Sequence, residues 1–236
     1  MWHKDKDKIE EHGVFVNKTL TVNIIRHGKT SLNERRCYVG RTDESLSENG
    51  VKEIQDKKSK NIYKCPDKLF VSPMKRARES AAIMFDDLEQ NAIENFREMD
   101  FGSFEGKNYD DLKDNTKYRR WIDKSRGASI EEIESFYGKD DSVDDGTIMP
   151  EEMPVFYERV LKGFDEVLLQ STDVNEVSIV AHGGIIMAIL SSLTKEDYYS
   201  FMLACGDGIS VAVDYSVGNE GNVNISRFSV NNRICP

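Results

Sequence analysis

The chain has 236 residues, 39% of them hydrophobic and 31% charged, which fits a soluble globular protein with a sizeable core. Its formal net charge of −10 excludes the basic face that a nucleic-acid or acidic-membrane partner requires. The acidity is uneven: residues 1–100 hold 19 Lys and Arg against 18 Asp and Glu, and the remainder 13 against 24.

Residues 1 to about 17 form a charged lead-in in which Lys4-Asp5-Lys6-Asp7-Lys8 alternate in sign. A single domain is expected over 18–236. Leu20 to Arg26 reads as a strand of parallel type, and Thr30 to Asn49 as a polar functional loop. Gly50 to Lys60 is a short helix, Lys68 to Ser72 a second strand, and Pro73 opens a helix running to about Leu88. Ala92 to Phe96 is a third strand. Residues 102–150 turn acidic, with weak periodicity, and read as a lid-like insertion over the sheet edge. Glu151 to Leu169 carries a helical stripe of Val155, Phe156, Val160, Phe164, Val167 and Leu168. Val177 to Ala181 is a strand and Gly184 to Leu193 a helix. Ile209 to Tyr215 and Val223 to Val230 form a hairpin through Gly218-Asn219-Glu220-Gly221. Alternating strands and helices predict a three-layer α/β/α sandwich around a mostly parallel, mixed sheet.

Cys37, Cys65, Cys205 and Cys235 form no metal-ligand spacing, so no metal is expected. They read as free thiols of a reducing cytoplasm. The longest apolar stretches, such as Gly184 to Leu190, are far too short to cross a bilayer.

Two of the four histidines stand in matching contexts. His27 ends Ile24-Ile25-Arg26-His27-Gly28, and His182 ends Ile179-Val180-Ala181-His182-Gly183-Gly184. Each follows an apolar run and precedes glycine, which places an imidazole at the carboxyl edge of a sheet, where open α/β folds bind ligands. Arg26 adds a permanent cation, so the pair points to imidazole chemistry on an anion. Two further segments join them: Ser72-Pro73-Met74-Lys75-Arg76-Ala77, and Arg97-Glu98-Met99-Asp100-Phe101-Gly102-Ser103-Phe104-Glu105-Gly106.

In this order, from Leu20 to about Tyr215, the four segments resemble the histidine phosphatase superfamily, also called phosphoglycerate-mutase-like. Asn33, Gly40-Arg41-Thr42-Asp43-Glu44, Leu46, Gly50 and the Asp100-Phe101-Gly102 and Phe104-Glu105-Gly106 pair are similar to its α-ribazole-5'-phosphate phosphatase branch. The resemblance implies a phosphohistidine mechanism without cofactor. Arg26 and Arg76 neutralise the phosphomonoester, neutral His27 attacks phosphorus, and Glu98 protonates the leaving alkoxide and then activates water. His182 adds a donor to the phosphoryl oxygens, as imidazolium in one form. Thr30, Asn33, Gly40 and Gly183 complete the substrate contacts. The partner is then a small-molecule phosphomonoester, and a homodimer is compatible with the sequence.

Other readings stand beside these. His12-Gly13 has the same dipeptide, but Glu10-Glu11 precede it in place of a strand, so neither it nor His3 is given a role. Glu94, Asp100 and Glu105 compete with Glu98 as the acid. Lys29 either adds a cation near the pocket or points to solvent. Cys37 stands where mutase-type relatives place an arginine. Arg119-Arg120 read as a surface helix, and Glu152 and Arg159 lie in a segment that approximates a family lid motif. Three functions follow: a phosphomonoester hydrolase, with α-ribazole 5'-phosphate or a broader set of sugar phosphates and nucleotides as substrates; a phosphoglycerate mutase; or a phosphate-binding module without turnover.

Overall fold

A computed structural model describes residues 16–86, 88–127, 129–137 and 146–234. Residues 1–15 of the expected lead-in lie outside these; Val16 and Asn17 already belong to a strand. Six strands, β1 (Val16–Arg26), β2 (Lys68–Val71), β3 (Gln90–Ala92), β4 (Glu176–Ala181), β5 (Gly208–Val217) and β6 (Val223–Arg233), form one sheet in the order β3-β2-β4-β1-β5-β6. The β3-β2-β4-β1 part is parallel, and β5 and β6 join antiparallel, so the sheet is mixed.

Alternation along β1 sends Leu20, Val22 and Ile24 to one face and Ile25 to the other. The first face packs on α7 (Met153–Leu169) and α8 (Gly183–Thr194). The α7 stripe Phe156, Val160, Phe164, Val167 and Leu168 is buried as its spacing predicts, although Val155 is 56% exposed. The helix α8 is buried from Gly184 to Ser191, which explains its near-continuous apolar sequence. The second face packs on α2 (Glu48–Ser59) and α3 (Lys75–Phe85) through Ile54, Ala77, Ala81, Met84 and Phe85. This is the expected three-layer sandwich.

Several boundaries differ from the sequence reading, each for a local reason. Ser47 caps α2 by accepting from the Gly50 N–H, so that helix opens before Gly50. The expected loop from Thr30 also contains α1 (Ser31–Glu34), set by a reciprocal capping box between Thr30 and Asn33. The helix α3 stops at Phe85, where Asp86 takes φ 52°, rather than reaching Leu88. The strand β3 lies at Gln90–Ala92, not Ala92–Phe96. Ile93 and Phe96 both enter the core on one side, and their three-residue spacing is met by a 3-10 turn over Glu94–Phe96, not by a strand. The hairpin forms as read, with Gly221 at φ 77°, but β6 extends to Arg233.

Among the described residues of 102–150, α4 (Tyr109–Leu112), α5 (Thr116–Ser125) and α6 (Ile130–Tyr137) replace the expected weak periodicity. Phe104, Leu112 and Tyr118 form a small separate core, with Tyr38, Phe101, Trp121 and Ile122 packed on it. The segment is tied back by Ser103, whose N–H donates to Ile148 O (2.8 Å) and whose hydroxyl accepts from Ile148 N–H (2.9 Å).

Candidate active site

Three strand ends converge. Arg26 is the last residue of β1 and His27 follows it, Ser72 follows β2, and His182 follows β4 as the N-cap of α8. His27 N–H donates to Ala181 O (2.9 Å), so the two histidine segments are fastened side by side. Their rings lie 5.1 Å apart, edge to face. The Pro73 turn sets Arg76 in the first turn of α3, and Glu98 arrives after the Glu94–Phe96 turn.

His27 is 3% exposed. Its Nδ1–H donates to Gly28 O (2.6 Å), which leaves the Nε2 lone pair free. Burial, together with Arg76 and Arg26 nearby, pulls its pKa well below 6.5, so the ring is neutral. His182 is fully buried, and the same causes, burial first and then Arg76, His27 and Arg26, keep it neutral too. This corrects the imidazolium form expected from sequence. Ser72 Oγ accepts from Met74 N–H (3.3 Å) and lies 2.7 Å from His182 Nε2. With the serine proton given to Nε2, the neutral ring carries its own proton on Nδ1, a donor with no partner in the protein.

Both arginines are fixed but incompletely satisfied. Arg26 Nη1 donates to Leu203 O (2.6 Å), while its buried Nε has no partner. Arg76 is fully buried; Nη1 donates to Thr42 O (2.8 Å) and Nη2 to Gly40 O (2.9 Å) and Val39 O (3.3 Å), and its Nε is likewise unpartnered. Among the described residues, five buried side-chain N or O atoms lack a hydrogen-bond partner, and three of them belong to Arg26, Arg76 and His182. Buried donors left unsatisfied cost free energy unless a ligand meets them. Two of these side chains, Arg26 and Arg76, are cations that act on both His27 and His182, whose rings lie 5.1 Å apart.

Glu98 is 7% exposed; its carboxylate accepts from Met99 N–H (2.9 Å) and Gly184 N–H (3.0 Å). Burial outweighs those bonds and the two arginines, and its pKa is raised above 4.5. Gly184 has no room to vary, because a Cβ there would lie 2.3 Å from Glu98 Oε1.

The remaining expected contacts are placed as follows. Thr30 is fully buried and Asn33 half-buried; Thr30 Oγ1 accepts from Asn33 N–H (3.2 Å) and Asn33 Oδ1 from Thr30 N–H (3.2 Å), so those atoms serve the cap of α1. Gly40 gives its N–H to Glu105 and its carbonyl to Arg76, so its main chain shapes the site from behind. Gly183 opens α8 beside Arg26, with 3.4 Å between the site of a Cβ and the guanidinium carbon. Lys29 pairs with Glu53 (2.6 Å), and Arg119 with Asp114 (3.4 Å).

Three further side chains, given no site role from sequence, support the site. Ser72 Oγ lies 2.7 Å from His182 Nε2 and, where it donates there, leaves the ring proton on Nδ1. Arg159, chelated by Glu151 (2.7 Å to each oxygen), donates to Asn95 O, Arg97 O and Glu98 O and so fixes the backbone that presents Glu98. Ser80 Oγ accepts from Gly28 N–H and donates to Arg76 O. Arg159 and Ser80 work through main-chain atoms, whereas Ser72 meets the His182 ring directly. Among the described residues, no group of three or more His, Cys, Asp or Glu side chains is placed to hold a metal ion.

Comparisons with known proteins place the chain in a family. A 2,3-bisphosphoglycerate-dependent phosphoglycerate mutase of Allorhizobium ampelinum is 28% identical over 204 residues, 80% of this chain and 87% of that protein. The adenosylcobalamin/alpha-ribazole phosphatase of Salmonella typhimurium is 23% identical over 174 residues, 72% of this chain and 77% of that one. The crystal structure of the alpha-ribazole phosphatase from Shigella flexneri shares the fold, with a TM-score of 0.63 at 21% identity over 90% of this chain and all of that one. The model of the histidine phosphatase superfamily (branch 1) matches residues 22–213, and the chain belongs to that family, whose members among these relatives are phosphatases and mutases.

Proposed function

We propose that the chain hydrolyses phosphomonoesters through a phosphohistidine on His27, with α-ribazole 5'-phosphate as the preferred substrate. The observation that carries the hydrolase is a neutral His27 whose Nε2 is free, packed against His182, together with unpartnered buried nitrogens on Arg26 (Nε), Arg76 (Nε) and His182 (Nδ1, a donor in the tautomer that accepts from Ser72). The phosphoryl oxygens take those donors, His27 Nε2 attacks in line, and protonated Glu98 gives its proton to the leaving oxygen. Glu98, now a carboxylate, removes a proton from the water that attacks the phosphohistidine, which returns His27 to its neutral form.

Charge favours a hydrolase over a mutase. A mutase grips a second anionic group, and three arginines of these segments and the insertion already face carboxylates: Arg97 with Glu94, Arg119 with Asp114, Arg41 beside Asp100. A substrate with an uncharged aromatic tail suits what is present instead. Tyr38, Phe101 and Trp121, all partly exposed, cluster beside Gly40. Among the described residues, Cys37, Cys65 and Cys205 are free thiols, which supports a cytoplasmic setting.

The test is kcat/KM on α-ribazole 5'-phosphate, sugar phosphates, nucleotides and 3-phosphoglycerate. The proposal expects the first to lead by tenfold or more, on the order of what one well-filled apolar contact supplies. Isomerisation of 3-phosphoglycerate faster than its hydrolysis would reverse the choice between hydrolase and mutase.

A further inference from the structure

Glu105 lies in the Phe104-Glu105-Gly106 motif, and the mechanism above gives it no work. Its carboxylate is saturated with donors. Oε1 accepts from Gly40 N–H (3.1 Å), Arg41 N–H (2.8 Å) and Phe101 N–H (3.2 Å). Oε2 accepts from Gly40 N–H (3.2 Å), Thr42 N–H (3.2 Å) and the Thr42 hydroxyl (2.7 Å).

The opposite side of the same backbone faces Arg76. In the peptide joining Gly40 to Arg41, the carbonyl receives Arg76 Nη2 at 2.9 Å while the N–H points at Glu105. In the preceding peptide, the Val39 carbonyl receives the same Nη2 at 3.3 Å and the Gly40 N–H points at Glu105. Two consecutive peptide dipoles are therefore stacked between a carboxylate and a guanidinium, each with its negative end toward the cation. The loop cannot approach by another route, since a Cβ on Gly40 would lie 1.9 Å from Met99 O and 2.5 Å from Glu105 Oε1. Elsewhere it is pinned to α3, through Asp43 on Lys75 N–H (2.7 Å) and Glu79 on Leu46 N–H (2.8 Å).

We propose that Glu105 is the positioning residue for Arg76: it orients the Val39–Thr42 carbonyls that aim the guanidinium at the phosphoryl group, and it counters the charge of that buried cation through the intervening peptides. The role rests on the phosphatase reading. Charged hydrogen bonds are about twice as strong as neutral ones, so an amide in its place holds the loop less well even at equal size. Burial draws the Arg76 pKa down, and Glu105 is among the carboxylates that oppose this, after Glu98 and Asp43.

Glu105→Gln and Glu105→Ala test it with three readouts: orthovanadate affinity, kcat and KM on p-nitrophenyl phosphate, and peptide-resolved phenylglyoxal labelling of arginines. Arg159 serves as an internal reference, because Glu151 holds it independently. Orthovanadate affinity and kcat/KM should fall about 10- to 100-fold in the alanine variant, as for a displaced binding group, and by less in the glutamine variant. Arg76 labelling should rise while Arg159 stays protected. Unchanged affinity and labelling in both variants overturns the proposal, as does a loss of activity that merely tracks the unfolded fraction with both arginines labelled alike. Wild-type protein that neither binds orthovanadate nor turns over substrate overturns the phosphatase reading instead, and the Arg76-to-Arg159 labelling ratio still decides whether Glu105 holds the guanidinium. If Glu105→Ala does not fold, Thr42→Val removes one donor to Glu105 and should shift all three readouts the same way by a smaller factor.

Discussion

At His27 the protein solves a specific chemical problem: a nucleophile beside two guanidiniums has to stay unprotonated. Burial and those same cations push its proton affinity down, and the Gly28 carbonyl holds the proton that remains on Nδ1. Glu98 is shifted the other way, kept protonated above 4.5 by burial. Opposite shifts on two neighbouring groups assign base-like and acid roles. The kcat/KM for an alkyl phosphate should therefore rise on the acid side of 6.5, as His27 loses its proton, and fall at higher pH as Glu98 ionises. In Glu98→Gln the falling limb should vanish and kcat should drop about 10²- to 10⁴-fold, with a smaller loss on p-nitrophenyl phosphate, whose leaving group needs no proton. A falling limb that persists unchanged in Glu98→Gln would assign it to another group. The histidines also carry a stability signature. Both are buried neutral with lowered folded pKa values, so the unfolded chain binds their protons first as pH falls below 6.5. Stability should then decline by about 1.4 kcal/mol per ring per pH unit until the folded rings titrate. Denaturant titrations at pH 7 and 5.5 should show a smaller decline in His27→Gln/His182→Gln than in wild type.

At the scale of elements, two helices carry the site on their backbone. The start of α8 delivers Gly184 N–H to Glu98, and α7 packs against the turn that leads to Glu98 through Gly163. A Cβ at Gly163 would stand 2.9 Å from Phe96 Cε1 and from Asn95 Cβ, so Gly163→Ala forces α7 and that turn apart. The expected loss is about 1–3 kcal/mol in denaturant titration, typical of overpacking, with reduced kcat because Glu98 moves with the turn. An unchanged midpoint and kcat would mean the interface yields freely. These elements show what a sequence can and cannot disclose. The strands ending in His27 and His182 were plain because apolar runs followed by His-Gly report both burial and an edge. The α7 stripe was plain from its helical spacing. The turn at Glu94–Phe96 was misread as a strand because Ile93 and Phe96 are apolar in either case, and only their shared side of the core separates the two. The helices α4 and α5 escape the sequence because their apolar residues, Leu112, Tyr118 and Trp121, answer to a small local core that includes Tyr38, about 80 residues earlier. Glu105 and Arg159 act through peptide groups, which every residue possesses, so the sequence marks their segments but not what they hold.

The whole molecule is acidic, yet its deepest side chains include Arg76, fully buried, with Arg26 beside the same rings. A buried cation with one donor unmet is a local cost that the rest of the core sustains. An anion that fills the site relieves it and binds only the folded chain. Orthovanadate at 100 times its Kd should add about 2.7 kcal/mol to unfolding, read as a higher Tm. The gain should shrink in Arg76→Ala and be insensitive to sulfate-free changes in ionic strength, since the site is screened from solvent. A Tm that does not move with orthovanadate would remove the anion from the account. The most direct test of the central claim is rapid-quench mass spectrometry during turnover of a phosphomonoester. The account predicts an acid-labile phosphoryl group on His27, absent in His27→Ala, which should also lose turnover. A phosphoryl group on another residue, or turnover in His27→Ala equal to wild type, would contradict it.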